Sequence, residues 1–334
     1  MASFSKFGND LYTGARSYNI VGRRRIWFSI AACLIAIAIL VPVFKGFNFS
    51  VEFRGGSLFT VSGVGSNPDQ AIATRAVGKI VTGQVPTVVI AGQGTSSVSV
   101  QVTTNLLTNL KTDDVQAALA KAYDVPEKKV AATFIGATWG ADITQAAIEA
   151  LIAFIVLAVI IMALYFRTWK MSVAAIVALA HDLIIVTGVY AVLGFEVSPD
   201  AVIGLLTILG YSLYDTVVVF DKIRENTSDA VEQNNRTFAE SVNLAVNQTL
   251  VRSINTSVVA LLPVAAILFI GATLLGAGTL RDISLALFVG ILSGTYSTIF
   301  VAAPLYSLLR EGEPEIKKRA TRATVARTTT GAVR

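Results

Sequence analysis

Residues 201–226 read AVIGLLTILGYSLYDTVVVFDKIREN. The stretch is apolar up to Phe220, with Asp215 as the one acid before that point, and then becomes a charged series. A carboxylate inside an apolar run of membrane length costs a few kcal/mol to insert, and such a group normally faces a bundle interior or a water-filled cavity. Asp215 is therefore the first candidate functional residue, and further membrane helices are expected around it.

The composition is that of an integral membrane protein. Hydrophobic residues make up 54% of the 334 residues and charged residues 15%, whereas an ordinary soluble domain holds about 25% charged residues. The single Cys33 excludes an intrachain disulfide and a thiolate metal cluster, and a single histidine argues against a histidine-built metal site. We therefore expect no metal, no cofactor and no enzymatic centre. The net charge of +5 needs no nucleic-acid partner, because it collects at loops and tails.

Hydropathy divides the chain into six membrane spans and one soluble insertion. The first apolar run follows three arginines, is longer than the roughly 7–15 residues of a signal-peptide core, and is interpreted as an uncleaved signal anchor. Since basic residues also follow the sixth span, the positive-inside rule predicts both termini in the cytoplasm. The predicted segments are a cytoplasmic tail (1–25), the first span (26–46), an external domain (47–142), the second, third and fourth spans (143–166, 171–193 and 201–220), a cytoplasmic loop (221–253) with an amphipathic helix lying at the membrane surface (241–250), the fifth and sixth spans (254–275 and 283–309), and a basic cytoplasmic tail (310–334).

The external domain is predicted as a small α+β unit. Its patterning follows the order strand–helix–strand–strand–helix–strand, which is that of a split βαβ, ferredoxin-like domain. Residues 48–63 alternate apolar and polar side chains and are interpreted as the first strand, with Gly55 and Gly56 as a bulge or a point of close backbone approach. The fold class is thus an α-helical polytopic membrane protein of six transmembrane helices, with one ferredoxin-like domain inserted between helices 1 and 2. No catalytic cluster is visible in this insertion, and a fold alone gives no activity.

Asp215 is the centre of a candidate proton or ion relay. Tyr211 and Ser212 lie four and three residues before it and share its helix face. A carboxylate in low-dielectric surroundings can exchange a proton near neutral pH, and one charge crossing the membrane potential yields about 2.3 kcal/mol per 100 mV. The alternative is a helix-packing or interfacial Asp near the cytoplasmic end of the span, within reach of water.

Arg252 is the second candidate relay residue. It stands before the fifth span in a polar stripe with Gln248 and Asn255. An arginine that approaches and leaves Asp215 would couple protonation to helix movement. The alternative is an arginine that extends to the membrane interface.

The pair His181-Asp182 occupies the middle of the third span. At this depth the pair forms either a buried polar network or relay, or a satisfied structural pair. The candidate intramembrane network as a whole consists of His181, Asp182, Tyr211, Ser212, Gln248 and Asn255.

Four segments carry a resemblance to a known family. They are GYSLYDTVVVFDKIREN at 210–226, NQTLVRSINTS at 247–257, VEFRGG at 51–56 and HD at 181–182. On these segments the chain resembles the SecF family, accessory membrane subunits of the bacterial Sec protein translocase that are related to the RND exporters. The resemblance covers nearly the whole chain. The family usually has Asn where Tyr214 stands and Asp where Glu52 stands.

The resemblance implies a partner and an activity. Members of the family pair with SecD into a twelve-span unit in the bacterial cytoplasmic membrane, where an Asp of SecD faces the position of Asp215 and the position of Arg252 lies nearby. Flow of H⁺ (or Na⁺) then drives movement of the external domains, which pulls an unfolded preprotein outward from the SecYEG translocon, with YajC as a further partner. The family motif of the external domain corresponds to Glu52, Arg54, Gly55 and Gly56.

Two other functions remain open at this point. One is a half-size RND-type proton-coupled exporter of small molecules or lipids. The other is a scaffold that stabilises a translocon without using ion energy. A scaffold should tolerate Asp215→Asn, whereas an ion-coupled protein should not.

Overall fold

The computed structural model describes residues 2–65, 68–82, 86–91, 98–166, 168–228, 236–271, 278–318 and 320–321. Several predicted segments lie partly outside these residues. They are the first tail (1–25), the external domain (47–142), the loop predicted at 221–253, the fifth span (254–275) with the turn that follows it, and the basic tail from 310 onward.

Six long helices contain stretches that are apolar and long enough to cross a membrane. We call these helices spans 1 to 6. They run over Arg24–Lys45, Ala137–Phe166, Trp169–Leu193, Pro199–Thr227, Phe238–Ala266 with a π-helical end at Ile267–Gly271, and Gly278–Tyr296 continued by a π segment at Ser297–Ala302 and an α-helix at Ala303–Glu311. The protein is therefore a multi-pass membrane protein.

Spans 3, 4 and 6 form the buried centre of the bundle, while spans 1, 2 and 5 expose most of their surface. Small residues allow the central helices to approach closely, as is usual between membrane helices. A Cβ at Gly290 of span 6 would lie 2.2 Å from the Ile208 side chain of span 4. Likewise, a Cβ at Gly188 of span 3 would lie 2.3 Å from Ala38 of span 1. These two glycines therefore fix the spacing of the bundle.

The two ends of the bundle differ. Span 1 begins at Arg24, which forms an ion pair with Glu311 at the end of span 6, and the N-terminal helix Ala2–Tyr12 packs against span 5 at the same end. We call this the terminal end. The α+β domain follows span 1 at the opposite end, which we call the domain end.

The predicted cytoplasmic loop at 221–253 is wrong in its extent. Span 4 continues as one helix to Thr227, and span 5 starts at Phe238, so the predicted surface helix at 241–250 is the first half of span 5. A capping box between Thr237 and Glu240 starts this helix. Its apolar face, including Val242, packs into the same buried cluster as spans 3, 4 and 6. That face is therefore buried within the bundle.

The inserted domain is built on a four-stranded sheet. The six strands of the described residues are β1 (Asn48–Phe49), β2 (Gly56–Ser62), β3 (Thr87–Ala91), β4 (Ser99–Thr104), β5 (Val130–Ile135) and β6 (Glu196–Val197). Strands β2 to β5 pair antiparallel in the order β3-β4-β2-β5, and the helices Gln70–Gly78 and Asn109–Ala122 connect them. The order of elements is the one that the sequence predicts; the ferredoxin-like classification of the domain stays a prediction.

The single strand predicted at 48–63 is wrong. Strand β1 pairs in parallel with β6, which lies between spans 3 and 4. A short helical turn, Val51–Arg54, follows β1, and β2 starts only at Gly56. The break occurs because Gly55 has a φ of 72° and Gly56 a φ of 150°, and a Cβ at Gly56 would lie 2.4 Å from the Thr104 carbonyl oxygen. The two glycines thus form a sharp turn onto the sheet and not a bulge, and Gly56 is the point of close backbone approach that the sequence offered as the alternative.

Candidate functional site

Asp215 is buried in the middle of the bundle with half of its hydrogen-bonding capacity unused. The residue is 6% exposed, and its Oδ1 accepts a hydrogen bond of 2.9 Å from Ser253 Oγ of span 5. Its Oδ2 is buried and has no hydrogen-bond partner among the described residues. Because buried polar atoms are normally satisfied, an open carboxylate oxygen marks a position where a proton, an ion or a further chain can bind.

Arg252 lies on the outer surface of the bundle and makes no ion pair with Asp215, although it is close enough for its charge to act on that carboxylate. Its Nη2 donates a long hydrogen bond of 3.4 Å to Tyr214 Oη, and Tyr214 is 56% exposed. Among the described residues Arg252 has no carboxylate within ion-pair distance. Successive residues of a helix point about 100° apart, so Ser253 takes the inward position and Arg252 the outward one.

The three residues predicted to share one face of span 4 divide between two sites. Asp215 binds Ser253 of span 5, whereas Ser212 donates a hydrogen bond of 2.6 Å to Asp182 Oδ2 of span 3. The hydroxyl of Tyr211 is buried beside Ser257 of span 5. Span 4 therefore contributes to two separate buried sites, with Asp215 facing span 5 and Ser212 facing span 3.

Asp182 is the centre of a hydrogen-bond network that joins spans 3, 4 and 6. It is 1% exposed. Its Oδ2 also accepts a hydrogen bond of 2.9 Å from Ser297, and its Oδ1 accepts one of 2.7 Å from Ser293. His181 Nδ1 lies 3.1 Å from Oδ1. Both carboxylate oxygens are thus satisfied by hydroxyl donors from two other helices, spans 4 and 6.

Sequence reasoning missed the two serines of span 6. Ser293 and Ser297 are four residues apart and so share a helix face. The signal was present, but serines in an apolar helix have no obvious partner until the packing is known. Their target, Asp182, is more than a hundred residues earlier in the chain.

Gln248 and Asn255 lie outside the buried network. Gln248 Nε2 donates to the Tyr12 carbonyl oxygen at 3.0 Å, and its Oε1 accepts a hydrogen bond of 2.8 Å from Asn226 at the end of span 4. Asn255 is exposed on span 5. In the polar stripe predicted on span 5, Gln248 therefore forms hydrogen bonds at the terminal end, and Asn255 lies on the outer surface.

The family-motif residues lie at the junction between the domain and the bundle. The turn Val51–Arg54 packs against the start of span 2, where a Cβ at Gly140 would lie 2.6 Å from the carbonyl oxygen of Phe53. Arg54 Nη2 donates to the Phe47 carbonyl oxygen at 3.1 Å. Burial, together with the carboxylates of Asp282 and Glu52, raises the pKa of Glu196 in β6. This junction is the place where bundle and domain are mechanically joined.

Within the described residues, no three His, Cys, Asp or Glu side chains group together as metal ligands. The arrangement is instead that of a multi-pass membrane protein with buried carboxylates between its helices and one α+β domain inserted after the first span. This class includes proteins that couple ion movement to conformational change.

Comparison with known proteins assigns the chain to a family. Residues 114–312 match the family described as "Protein export membrane protein SecD/SecF, C-terminal", and residues 41–62 match the "SecD/SecF GG Motif". The chain belongs to the SecD/SecF family of protein export membrane proteins.

Relatives and solved structures agree with this assignment. The protein translocase subunit SecF of Streptomyces coelicolor is 44% identical over 318 residues, which cover 95% of this chain and 83% of that relative. The corresponding subunit of Mycobacterium tuberculosis is 42% identical over 332 residues, 97% of this chain and 74% of that relative. The crystal structure of SecDF from Thermus thermophilus, titled a translocon-associated membrane protein, superposes with a TM-score of 0.77 at 32% identity. The superposition covers 89% of this chain and 39% of that one.

Proposed function

We propose that the chain is a SecF-type subunit of the Sec protein translocation machinery. It pairs with a SecD-type chain and uses the proton motive force, or a sodium gradient, to promote export of unfolded preprotein across the bacterial cytoplasmic membrane. Both termini lie in the cytoplasm, and the α+β domain lies outside. SecYEG and YajC are the further partners in this proposal. The chain itself catalyses no covalent reaction and holds no cofactor.

One observation carries the ion-coupling part of the proposal: the Oδ2 of Asp215 is buried and has no hydrogen-bond partner in the part of the chain that the structure describes. A carboxylate deep in a membrane bundle is costly and is normally found where an ion or proton passes. The other buried carboxylate of the bundle centre, Asp182, has both oxygens occupied by hydroxyl donors. Asp215 is therefore the better candidate for reversible protonation.

A partner chain is supported by two features. The solved structure that the chain resembles is a SecDF chain, of which this chain covers 39%, so a SecD-type part is expected beside the part that matches. In addition, Tyr214 and Arg252 lie exposed on the outer surface beside Asp215. An arginine on an apolar helix surface is unfavourable in lipid, whereas a carboxylate of a second chain at this position would neutralise it.

The fold offers a route from the ion site to the external domain. Strand β6 lies between spans 3 and 4, and it pairs with β1 at the base of the domain. When Asp215 gains or loses a proton, its attraction to donors on span 5 and on the partner changes, so span 4 shifts relative to its neighbours. Movement of span 4 then displaces β6, and β6 displaces the base of the domain. Each proton that crosses supplies about 2.3 kcal/mol per 100 mV of membrane potential.

Asp215→Asn tests the proposal. The chain is produced with its SecD-type partner, and preprotein translocation into inverted membrane vesicles is measured with and without an imposed proton or sodium gradient. We expect the variant to co-purify with the partner but to lose stimulation by the gradient. The matched control is Asp142→Asn, which removes an exposed carboxylate near the start of span 2, outside the neighbourhood of Asp215. Normal stimulation of the Asp215→Asn complex would overturn ion coupling and leave the scaffold function.

A further inference from the structure

A polar cavity opens between spans 4 and 5 at the terminal end of the bundle. It has a volume of about 290 Å³, which is room for several water molecules at about 30 Å³ each. Spans 4 and 5 supply most of its walls, and Tyr12 and Tyr165 complete them. The lining residues are Tyr12, Tyr165, Val217, Val218, Asp221, Lys222, Glu225, Gln248, Thr249 and Arg252.

The cavity extends inward to the immediate neighbourhood of Asp215. Its wall on span 4 runs from Glu225 to Val217, a length of about 12 Å at 1.5 Å per residue. Asp215 lies two residues beyond the inner end of this wall. On span 5 the wall ends at Arg252, and the next residue, Ser253, donates the hydrogen bond to Asp215. A water-filled cavity here would bring the aqueous phase within one helical turn of the buried carboxylate.

The lining is suited to water and ions. Asp221 and Glu225 supply carboxylates, and Lys222 and Arg252 supply cations. Lys222 Nζ bonds Glu225 Oε1 at 2.7 Å at the mouth. Polar cavities that offer several hydrogen-bonding partners hold water, whereas dry cavities are apolar.

The N-terminal helix Ala2–Tyr12 covers this cavity. The Tyr12 carbonyl oxygen accepts a hydrogen bond of 3.0 Å from Gln248 Nε2, and Lys222 Nζ lies 5.6 Å from the centre of the Tyr12 ring. Leu11 is fully buried and anchors the helix end. The cover is therefore held by an apolar anchor and by two contacts with residues of the cavity wall.

The segment after this helix is fastened to span 5 by two asparagines. Asn247 Oδ1 accepts a hydrogen bond of 2.7 Å from Tyr18 N, and its Nδ2 donates one of 2.9 Å to the Tyr18 carbonyl oxygen. Asn243 Oδ1 accepts hydrogen bonds of 2.9 and 3.1 Å from the backbone of Ile20 and Val21. This attachment holds residues 18–21 to span 5 outside the lining of the cavity.

We propose that this cavity is the aqueous entrance to the ion path at the terminal end, and that the helix Ala2–Tyr12 is its cover. Water and hydrated monovalent cations reach Asp215 through the space between Asp221, Thr249 and Arg252. The proposal deepens the function proposed above and rests on it, because an ion path has a role only in an ion-coupled protein. The existence of the entrance is nevertheless a property of the bundle that can be measured without any ion gradient.

Cysteine accessibility tests the entrance. Cys33 is the only cysteine of the chain, so Cys33→Ser provides a background without thiols. Val218→Cys then places one thiol in the cavity wall, and Ser228→Cys places one on the water-exposed end of span 4. Val259→Cys, on the exposed apolar face of span 5, is the control for a lipid-facing position. Each variant is made with the SecD-type partner and treated with a membrane-impermeant methanethiosulfonate ammonium reagent from the proposed cytoplasmic side of inverted vesicles.

The expected order of labelling rates is Ser228→Cys, then Val218→Cys, with Val259→Cys unreactive. Deletion of residues 2–12, or Tyr12→Ala as the milder change, should raise the Val218→Cys rate by roughly fivefold or more, as expected when an ordinary contact that holds a cover closed is lost. A Val218→Cys thiol as unreactive as Val259→Cys overturns the entrance. If neither the deletion nor Tyr12→Ala alters the labelling rate of Val218→Cys, the helix Ala2–Tyr12 does not cover the cavity. If the three thiols label in the expected order but an ion gradient does not stimulate translocation by the unmodified complex, the proposed function is contradicted and the entrance is retained.

Discussion

Ser253 Oγ donates a hydrogen bond of 2.9 Å to Asp215 Oδ1 and so joins spans 5 and 4 at the depth of the buried carboxylate. Ser253 is fully buried and Asp215 nearly so. A hydrogen bond to a charged acceptor contributes more than one between neutral groups. Ser253 is thus the one described protein donor of Asp215, and it sits beside the outward-facing Arg252.

Ser253→Ala should weaken ion coupling without preventing assembly. The substitution removes this donor, and a hydrogen bond to a charged group is worth about 1.5–3 kcal/mol. We expect gradient-driven stimulation of translocation to fall at least several-fold while co-purification with the SecD-type partner is retained. Ser257→Ala is the matched control, since Ser257 lies one turn away on span 5 and bonds Thr295 and not Asp215. Equal effects of the two substitutions would show that Ser253 acts only through packing.

Arg252→Ala should uncouple or block ion conduction. Arg252 borders both the exposed face beside Tyr214 and the inner end of the polar cavity, so its charge acts on any ion that approaches Asp215. Ion currents are measured in patches or planar bilayers that contain the complex with its partner. Arg252→Lys should retain part of the current because the charge is kept, and Arg224→Ala removes a cation near the end of span 4 as the control. An unchanged current in Arg252→Ala would reduce the residue to an interfacial anchor.

Asp182→Ala should destabilise the bundle strongly. The change leaves the hydroxyls of Ser212, Ser293 and Ser297 without their common acceptor, and each unsatisfied buried group costs about 1–3 kcal/mol. We expect the free energy of unfolding of the detergent-solubilised protein to fall by about 2–5 kcal/mol.

Denaturant unfolding of the same purified protein checks this value. Asp142→Ala, at an exposed position near the start of span 2, should change the free energy of unfolding by less than about 0.5 kcal/mol. If Asp182→Ala unfolds like the unmodified chain, the network does not hold spans 3, 4 and 6 together.

Glu313 should make the stability of the terminal end depend on pH. Its hydrogen bond with Arg310, and then that with Lys170, hold its pKa below the ordinary value of 4.5; both bonds measure 2.8 Å. Because the folded-state pKa is lowered, the stabilisation is present above about pH 4.5 and is lost as the pH falls through the lower folded-state value.

Thermal unfolding of the solubilised protein between pH 3 and pH 6 measures this dependence, with pH values chosen to bracket the ordinary pKa of about 4.5. We expect Glu313→Gln to flatten the fall on the acid side. Glu315→Gln, which removes an exposed carboxylate two residues away, should leave the fall in place. A profile that is the same in all three proteins would remove Glu313 from the pH response.

The helices and the inserted domain could be predicted from the sequence because their signals are local. Apolar runs of membrane length define the spans wherever they occur, and strand and helix periodicities define the order of elements in the domain. The errors arose where a distant contact competes with a local pattern. Residues 48–63 alternate as a strand does, yet β1 pairs with β6 and the chain turns at Gly55 and Gly56.

For the candidate site, the sequence by itself determined that a carboxylate lies deep in span 4 and that a second acid lies in the middle of span 3, because an acid within an apolar run of membrane length is visible in the order of residues alone. The tertiary structure decided which partner each acid receives. Rotation of the helices about their axes turned Ser253 toward Asp215 and Arg252 outward, and brought Ser293 and Ser297 to Asp182. Helix rotation is set by the packing of small and large side chains across the whole bundle, and no local periodicity encodes it.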